Sequence, residues 1–149
     1  MYTTVLFDAD ETLLDFRKSE NSALLKREDV ESVSTLDVMC VDLYSGETVF
    51  LKAGAAPSYI LSDGKVSRVE MPSMPIGILD GVSFAKKETV LSKGDAVIMV
   101  SDGACAMKDG HIMKALSEFS GGSAQELAEK VLKSSGKKTD DSTVLAVVF

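Results

Sequence analysis

Short apolar runs separated by turn residues fill the middle of the chain. Residues 35–43 and 47–53 flank a Tyr-Ser-Gly sequence, and residues 58–61 and 66–70 flank Ser-Asp-Gly. Glycine and aspartate between two short β-rich runs are typical of tight hairpin turns. The pattern therefore predicts two successive antiparallel hairpins.

The second half of the chain combines strand patterns with helical periodicity. Residues 88–91 and 96–101 are predicted strands on either side of a Ser-Lys-Gly-Asp turn. Residues 143–149 show no polar alternation, which predicts a central strand buried on both faces. A capping box opens a predicted helix over residues 123–134, and apolar spacing predicts another over residues 111–119.

These elements indicate the fold class. Parallel strands need long crossover connections, usually helices, whereas hairpins join antiparallel neighbours directly. The order of hairpins followed by helices therefore predicts an α+β fold, an α/β sandwich of antiparallel β-sheets flanked by helices. A chain of 149 residues can bury one hydrophobic core, so we expect one domain over residues 1–149.

Composition and charge narrow the classes of function. The chain is 45% hydrophobic and 26% charged, with a net charge of −7. An acidic surface argues against nucleic-acid or anionic-membrane partners, because both require clustered lysine and arginine. The apolar runs are shorter than a membrane span, no signal-peptide pattern opens the chain, and the two cysteines form no CxxC motif. We therefore expect a cytoplasmic protein, and an acidic protein of this kind would need metal cations to handle phosphate.

Carboxylates stand at the ends of two predicted strands. Ser-Asp-Gly at 101–103 ends one apolar run, and Thr-Asp-Asp-Ser-Thr at 139–143 opens another. Mg²⁺ and Mn²⁺ take oxygen ligands and keep several waters, so a few converging carboxylates can hold them. Two such ions about 4 Å apart activate water for attack on a phosphoryl group. Turn formation alone also explains aspartate and glycine at strand ends.

A series of short motifs follows one order through residues 34–149. They are LDV at 36–38, VDLYSGE at 41–47, KAGAAPS at 52–58, PIGILD at 75–80, GD at 94–95, VSDG at 100–103 and DDSTV at 140–144.

In this order the motifs resemble the phosphatase domain of the sporulation stage II protein E family, within the type 2C-like (PPM) serine/threonine phosphatases. The resemblance implies two antiparallel sheets with a centre of two Mn²⁺ or Mg²⁺ ions between them. It implies a phosphoserine or phosphothreonine protein as substrate, such as an anti-anti-sigma-type regulator. By this resemblance Asp102 and Asp140 are metal ligands, and Gly103 and Asp141 belong to the same candidate metal site.

The amino-terminal residues depart from that family. The family carries an earlier strand that ends in an Asp-Gly metal motif, which this sequence lacks. In its place VLFDADETLLDFRK at 5–18 resembles the opening of the haloacid dehalogenase superfamily, over residues 1–25. This second resemblance implies that Asp8 is a nucleophile forming aspartyl-phosphate and that Asp10 is the general acid/base, beside Mg²⁺.

Two interpretations of the amino-terminal segment remain open. Acidic residues before a predicted helix at 16–27 stabilise the helix dipole, which is a purely structural explanation. Alternatively, the chain is a chimera of a haloacid dehalogenase-like start at 1–27 and a type 2C-like part at 34–149.

Three functions are consistent with these features. The first is a type 2C-like phosphatase with Asp102 and Asp140 as ligands; Asp8 or Asp10 replaces the missing carboxylate, and turnover is slow. The second is a haloacid dehalogenase-type phosphatase using Asp8, which the predicted hairpins oppose. The third is a catalytically silent interaction module with the phosphatase scaffold.

Overall fold

A computed structural model describes residues 2–9, 34–76, 78, 84–105, 109–135 and 140–149, with only the backbone described for 2–9. The elements are β1 (Tyr2–Ala9), β2 (Thr35–Asp42), β3 (Glu47–Ala53), β4 (Ser58–Ser62), β5 (Lys65–Val69), β6 (Ala85–Val90), β7 (Ala96–Val100), a 3-10 turn (Asp102–Ala104), α1 (Gly110–Ser117), α2 (Ala124–Ser134) and β8 (Val144–Val148).

The strands form two antiparallel sheets. The first sheet has the order β1-β2-β3-β6, and the second has the order β5-β4-β7-β8. β2 and β3 form one predicted hairpin, β4 and β5 form the other, and β7 pairs antiparallel with β8. The predicted α+β fold with antiparallel sheets is therefore confirmed.

Side chains form two packed layers, one on each face of the second sheet. The first is the layer between the two sheets, and the second is the helix layer, between the second sheet and the helices. The layer between the sheets contains Met39 and Phe50 from the first sheet and Val97 and Met99 from the second. On the other face of the second sheet, residues such as Ile98 pack against α1 and α2. Because β7 is covered on both faces, all five of its residues are buried. This explains why its sequence has no polar alternation.

Strand β8 departs from the sequence prediction. Among the described strands it is the edge of the second sheet, and its residues are half-buried, so the prediction of a central, fully buried strand was wrong. Leu145 and Val147 pack on the layer between the sheets, while Val144 and Ala146 pack on the helix layer. A strand that contacts one layer on each face is apolar throughout even at a sheet edge.

The amino-terminal strand belongs to the first sheet. β1 pairs antiparallel with β2, with Phe7 opposite Asp37 and Asp8 opposite Leu36. The apolar residues 3–7 are thus part of a strand, which continues through Asp8 to Ala9. Asp10 and the helix predicted at 16–27 lie outside the described residues.

Both predicted helices in the second half of the chain are present. Ser123 Oγ accepts a hydrogen bond from Glu126 N at 3.1 Å, and Ser123 N donates to Glu126 Oε2 at 3.0 Å. This reciprocal pair is the predicted capping box at the start of α2. In the described part of the chain neither helix combines the length and apolar character needed to cross a bilayer.

Candidate functional site

The two carboxylate-bearing motifs meet at one end of the second sheet. Val100 is opposite Val144 in the register of β7 and β8. Just beyond this pair, Ser101 N donates to Thr143 O at 3.1 Å, and Thr143 N donates to Ser101 Oγ at 2.9 Å. These bonds continue the strand pairing past the ends of the two strands. The segments that carry Asp102 and Asp140 therefore lie side by side.

Gly103 allows the closest approach between the two segments. A Cβ atom added at this buried residue would lie 2.2 Å from the carbonyl oxygen of Asp141, a distance that real side chains do not adopt. Only glycine permits the backbone to approach this closely without displacement. The predicted grouping of Gly103 with Asp140 and Asp141 is thus a real spatial neighbourhood.

The three aspartates at this end have the chemistry of a hard-cation site. Asp102, Asp140 and Asp141 are all exposed. Asp102 Oδ1 accepts from Gly103 N at 2.8 Å, and Asp140 Oδ1 accepts from Asp141 N at 2.8 Å. These bonds orient the two carboxylates, whose oxygens are the ligand type that Mg²⁺ and Mn²⁺ prefer. Across the described ranges, however, no group of three or more histidine, cysteine, aspartate or glutamate side chains is arranged to hold a metal ion.

The proposed nucleophile and acid of the alternative mechanism are placed differently. The backbone of Asp8 lies opposite Leu36, at the end of β2 that adjoins Ala53 of β3. Asp10 lies outside the described residues. Asp8 is therefore in an antiparallel sheet, whereas a haloacid dehalogenase-type active site requires a parallel sheet.

Asp37, Lys52 and Ser58 form a buried polar cluster that was not predicted from the sequence. Lys52 Nζ donates to Asp37 Oδ2, to Ser58 Oγ at 2.8 Å and to Ala56 O at 2.7 Å. Ser58 Oγ also donates to Asp37 Oδ2 at 3.1 Å. Asp37 and Lys52 are directly opposite each other in β2 and β3, and both are buried. Strand alternation does not single out these positions, because both faces of β2 and β3 carry apolar residues: Met39 and Phe50 share the face of Asp37 and Lys52, and Leu36, Val38 and Ala53 lie on the other face.

Burial controls the protonation of this polar cluster. Removal from water raises the pKa of Asp37, against the attraction of the Lys52 charge. The same desolvation lowers the pKa of Lys52, against the attraction of Asp37. Asp37 Oδ1 is buried and receives no hydrogen bond in the described part of the chain. The cluster is therefore costly in desolvation, which buried charges generally are.

A second polar group ties the helix layer to the β4–β5 hairpin. The hydroxyl of buried Tyr59 donates to Asp109 Oδ2 at 3.2 Å and lies 3.5 Å from Cys105 Sγ. Asp109 also lies 3.4 Å from Arg68 Nη1. Burial raises the pKa of Tyr59, so its hydroxyl stays protonated and remains a donor. This group anchors the start of α1.

Solved phosphatase domains are similar in fold to the described part of this chain. The phosphatase domain of the cell fate determinant SpoIIE from Bacillus subtilis, presoaked with Mn, is 30% identical with a TM-score of 0.63, covering 78% of this chain and 56% of that one. The RsbU and RsbW domains of a Mycobacterium tuberculosis protein are 27% identical with a TM-score of 0.67, covering 76% of this chain and 36% of that one. The fold is that of the type 2C-like serine/threonine phosphatases.

Sequence similarity defines the family more closely. The family model described as Stage II sporulation protein E (SpoIIE) matches residues 3–149. Stage II sporulation protein E of Bacillus subtilis is 33% identical, over 87% of this chain and 17% of the relative. The chain belongs to the stage II sporulation protein E family, and it spans less than two thirds of the length of these relatives.

The family match also covers the amino-terminal strand. It begins at residue 3, within the segment that resembled a haloacid dehalogenase. The matches give no support to a haloacid dehalogenase-like start or to a chimera. Together with the antiparallel pairing of β1 and β2, this favours one family origin for both parts of the chain.

Proposed function

We propose that this chain hydrolyses phosphoserine or phosphothreonine on a regulatory phosphoprotein, using Mn²⁺ or Mg²⁺ held by Asp102 and Asp140. The convergence of their two segments at neighbouring strand ends carries this proposal. Membership of a phosphatase family supports the reaction class. We also infer that residues 1–149 form one domain, because β1 pairs directly with β2.

The residues around the two carboxylates have distinct tasks. Ser101 fixes the backbone of Thr143, and Gly103 admits the carbonyl of Asp141, so Asp102 and Asp140 stay close together. Their like charges repel until a cation neutralises them. Bound divalent cations supply Lewis-acid polarisation of the phosphoryl group and lower the pKa of a bound water.

Among the described residues, few carboxylates are available to bind the metal ions. Mg²⁺ binds through one or two carboxylates together with waters and substrate phosphate, so Asp102 and Asp140 suffice for weak binding. A further carboxylate would strengthen it. Asp8 and Asp10 are the candidates, and the backbone of Asp8 lies near the end of β2 that carries Asp37. We therefore expect weak metal affinity and slow or absent turnover.

The partner follows from the relatives. One similar structure contains an RsbU domain together with an RsbW domain, which supports a regulatory protein as partner. A phosphorylated anti-anti-sigma-type regulator is the substrate that the family resemblance implies. The acidic net charge of −7 also favours a metal-assisted approach of an anionic phosphate group.

A metal-binding experiment tests this function. We expect millimolar Mn²⁺ to raise the thermal midpoint of the native chain, because the cation relieves carboxylate repulsion. Asp102→Asn or Asp140→Asn should remove most of that rise, and Asp141→Asn should remove less. Asp63→Asn is the matched control, because Asp63 is an exposed aspartate in the β4–β5 turn. Its φ is positive, at 50°, and asparagine also tolerates this conformation.

Activity must follow the same pattern. Hydrolysis of a phosphoserine peptide should require Asp102 and Asp140 and should be unaffected by Asp63→Asn. A trapped aspartyl-phosphate that requires Asp8 would instead support the covalent mechanism. A thermal midpoint indifferent to Mn²⁺ in every variant, with no hydrolysis, would favour the silent interaction module.

A further inference from the structure

The buried polar cluster lies at the same end of the sandwich as the candidate metal site. Ser58 opens β4 immediately before Tyr59, which is opposite Ile98 in β7. β7 then runs two residues further to Val100 and leads directly into Asp102. The cluster of Asp37, Lys52 and Ser58 therefore joins the first sheet to the second close to the segment that carries a candidate ligand.

Lys52 is the centre of this cluster because it uses its whole donor capacity. A lysine ammonium has three N–H donors. Lys52 directs them to Asp37 in β2, to Ser58 in β4 and to the carbonyl of Ala56 in the loop between β3 and β4. One side chain thus constrains both sheets and the loop that connects them.

The constrained loop is itself held against a further segment. Gly54 N donates to Ser73 Oγ at 3.1 Å, and Gly54 has a φ of 62°. A Cβ at Gly54 would lie 2.5 Å from the Pro75 side chain. The bond from Lys52 to Ala56 O therefore fixes a loop that is packed tightly on its other side.

A contribution to stability does not by itself explain why the charged pair of Lys52 and Asp37 is buried between the two sheets. Replacing a buried ion pair with apolar side chains of similar size is often neutral or stabilising, because the desolvation of two charges is costly. Apolar packing would hold the two sheets together without fixed directions. Charged hydrogen bonds impose specific distances and angles.

We propose that Lys52 is a positioning residue of the phosphatase site. Its three hydrogen bonds set the separation of the two sheets at the end where Asp102 and Asp140 hold the cation. Lys52 acts through Ser58 and β4 on the neighbouring β7, and it does not contact the metal or the substrate. This inference rests on the proposed function.

A double substitution separates positioning from stability. Asp37→Leu with Lys52→Met replaces the ion pair by apolar side chains and leaves no unpaired charge. We expect this variant to fold cooperatively but to bind Mn²⁺ on the order of tenfold more weakly, as is typical when groups that orient metal ligands are removed. The affinity is measured by calorimetry at a temperature well below the thermal midpoint of each variant.

The matched control removes an exposed pair. Glu129 and Lys133 form an ion pair of 3.0 Å on the surface of α2. Glu129→Leu with Lys133→Met also replaces an acid–lysine pair by leucine and methionine, and it should leave Mn²⁺ affinity unchanged. If the buried double variant does not fold, Ser58→Ala removes one partner of Lys52 and should weaken Mn²⁺ binding by a smaller factor.

The outcomes are distinguishable. One outcome is that the native chain binds Mn²⁺ and the folded double variant binds it equally well; if that variant does not fold, Ser58→Ala takes its place. In that case Lys52 has only a structural role and the inference is wrong. If the native chain itself does not bind Mn²⁺, the proposed function fails and the inference falls with it.

Discussion

The two faces of the second sheet differ in chemistry. The face toward the helices is packed by apolar side chains such as Ile98, Leu116 and Val131. The face toward the first sheet is also apolar over most of its area, but one end contains the buried Lys52–Asp37 pair. The helix layer is therefore held mainly by apolar packing, and its charged group, Asp109, is partly exposed, whereas the layer between the sheets includes a fully buried ion pair at the end that carries the candidate site.

This difference has an energetic meaning. Apolar burial stabilises by about 25 cal/mol per Å² removed from water. A buried ion pair comes near to breaking even, because desolvation offsets the attraction. We therefore expect substitutions in the helix layer to change stability without changing metal affinity. Substitutions in the polar cluster should lower the Mn²⁺ affinity even where the free energy of unfolding changes little.

The largest expected effect is that of Leu116→Ala in the helix layer. Leu116 is fully buried, so truncation removes transferred apolar surface and leaves a cavity. We expect a loss of about 2–5 kcal/mol in the free energy of unfolding, measured with urea. The Mn²⁺ affinity of the folded variant should equal that of the native chain.

The control is Leu43→Ala, because Leu43 is 61% exposed in the turn after β2. It should change stability far less than Leu116→Ala. If Leu116→Ala weakened Mn²⁺ binding as strongly as the loss of the buried ion pair, the contrast between the two layers would not hold.

A smaller effect is expected for Ser123→Ala, at the edge of the helix layer. The change removes the side-chain acceptor for Glu126 N and breaks the capping box. The expected loss is about 1 kcal/mol in the free energy of unfolding. Ser120→Ala makes the same chemical change at an exposed residue outside the capping box and should be nearly neutral. Equal urea midpoints for the two variants would count against a stabilising cap.

The smallest expected effect is on the pH dependence of stability, and it arises at the end of the first sheet that lies away from the candidate site. Asp42 Oδ1 accepts from Tyr44 N at 2.8 Å and Ser45 N at 3.2 Å in the turn between β2 and β3. These backbone hydrogen bonds hold the pKa of Asp42 below its usual value of 3.8. Because the folded-state pKa is the lower one, the stabilisation is complete above 3.8 and is lost as the pH falls through the folded-state pKa.

Thermal midpoints of the native chain and Asp42→Ala measure this contribution. Their difference should be constant near neutral pH and should narrow below pH 3.8. Asp63→Asn in the other hairpin turn, which tolerates the positive φ of that residue, provides the control. A difference that widened in acid would contradict the assigned sign.

The amino-terminal segment shows why local patterns can mislead. A short apolar strand followed by acidic residues occurs in more than one phosphatase family, so the DADET sequence after residue 7 resembled a haloacid dehalogenase. The family match from residue 3 and the antiparallel pairing of Asp8 with Leu36 place β1 in the first sheet instead. The direction and partner of a strand depend on distant residues, which the local motif does not contain.

Features that depend on near neighbours could be predicted from the amino-acid sequence. Alternation and turn glycines predicted the two hairpins, and Ser123 with Glu126 predicted the start of α2. The motifs around Asp102 and Asp140 were also recognisable as candidate ligands. Each of these features is set by side chains a few residues apart, or by a motif that is continuous in the chain.

Contacts between distant segments became visible in the folded structure and were not predictable from the sequence. It placed β8 at the edge of the described sheet, brought Gly103 against Asp141, and directed Lys52 toward both Asp37 and Ser58. Hydrophobic periodicity specifies which face of a strand is buried, but it does not specify which strand lies beside it or across from it. Those choices depend on the packing of the whole chain, because each buried polar group must find its partner in another segment.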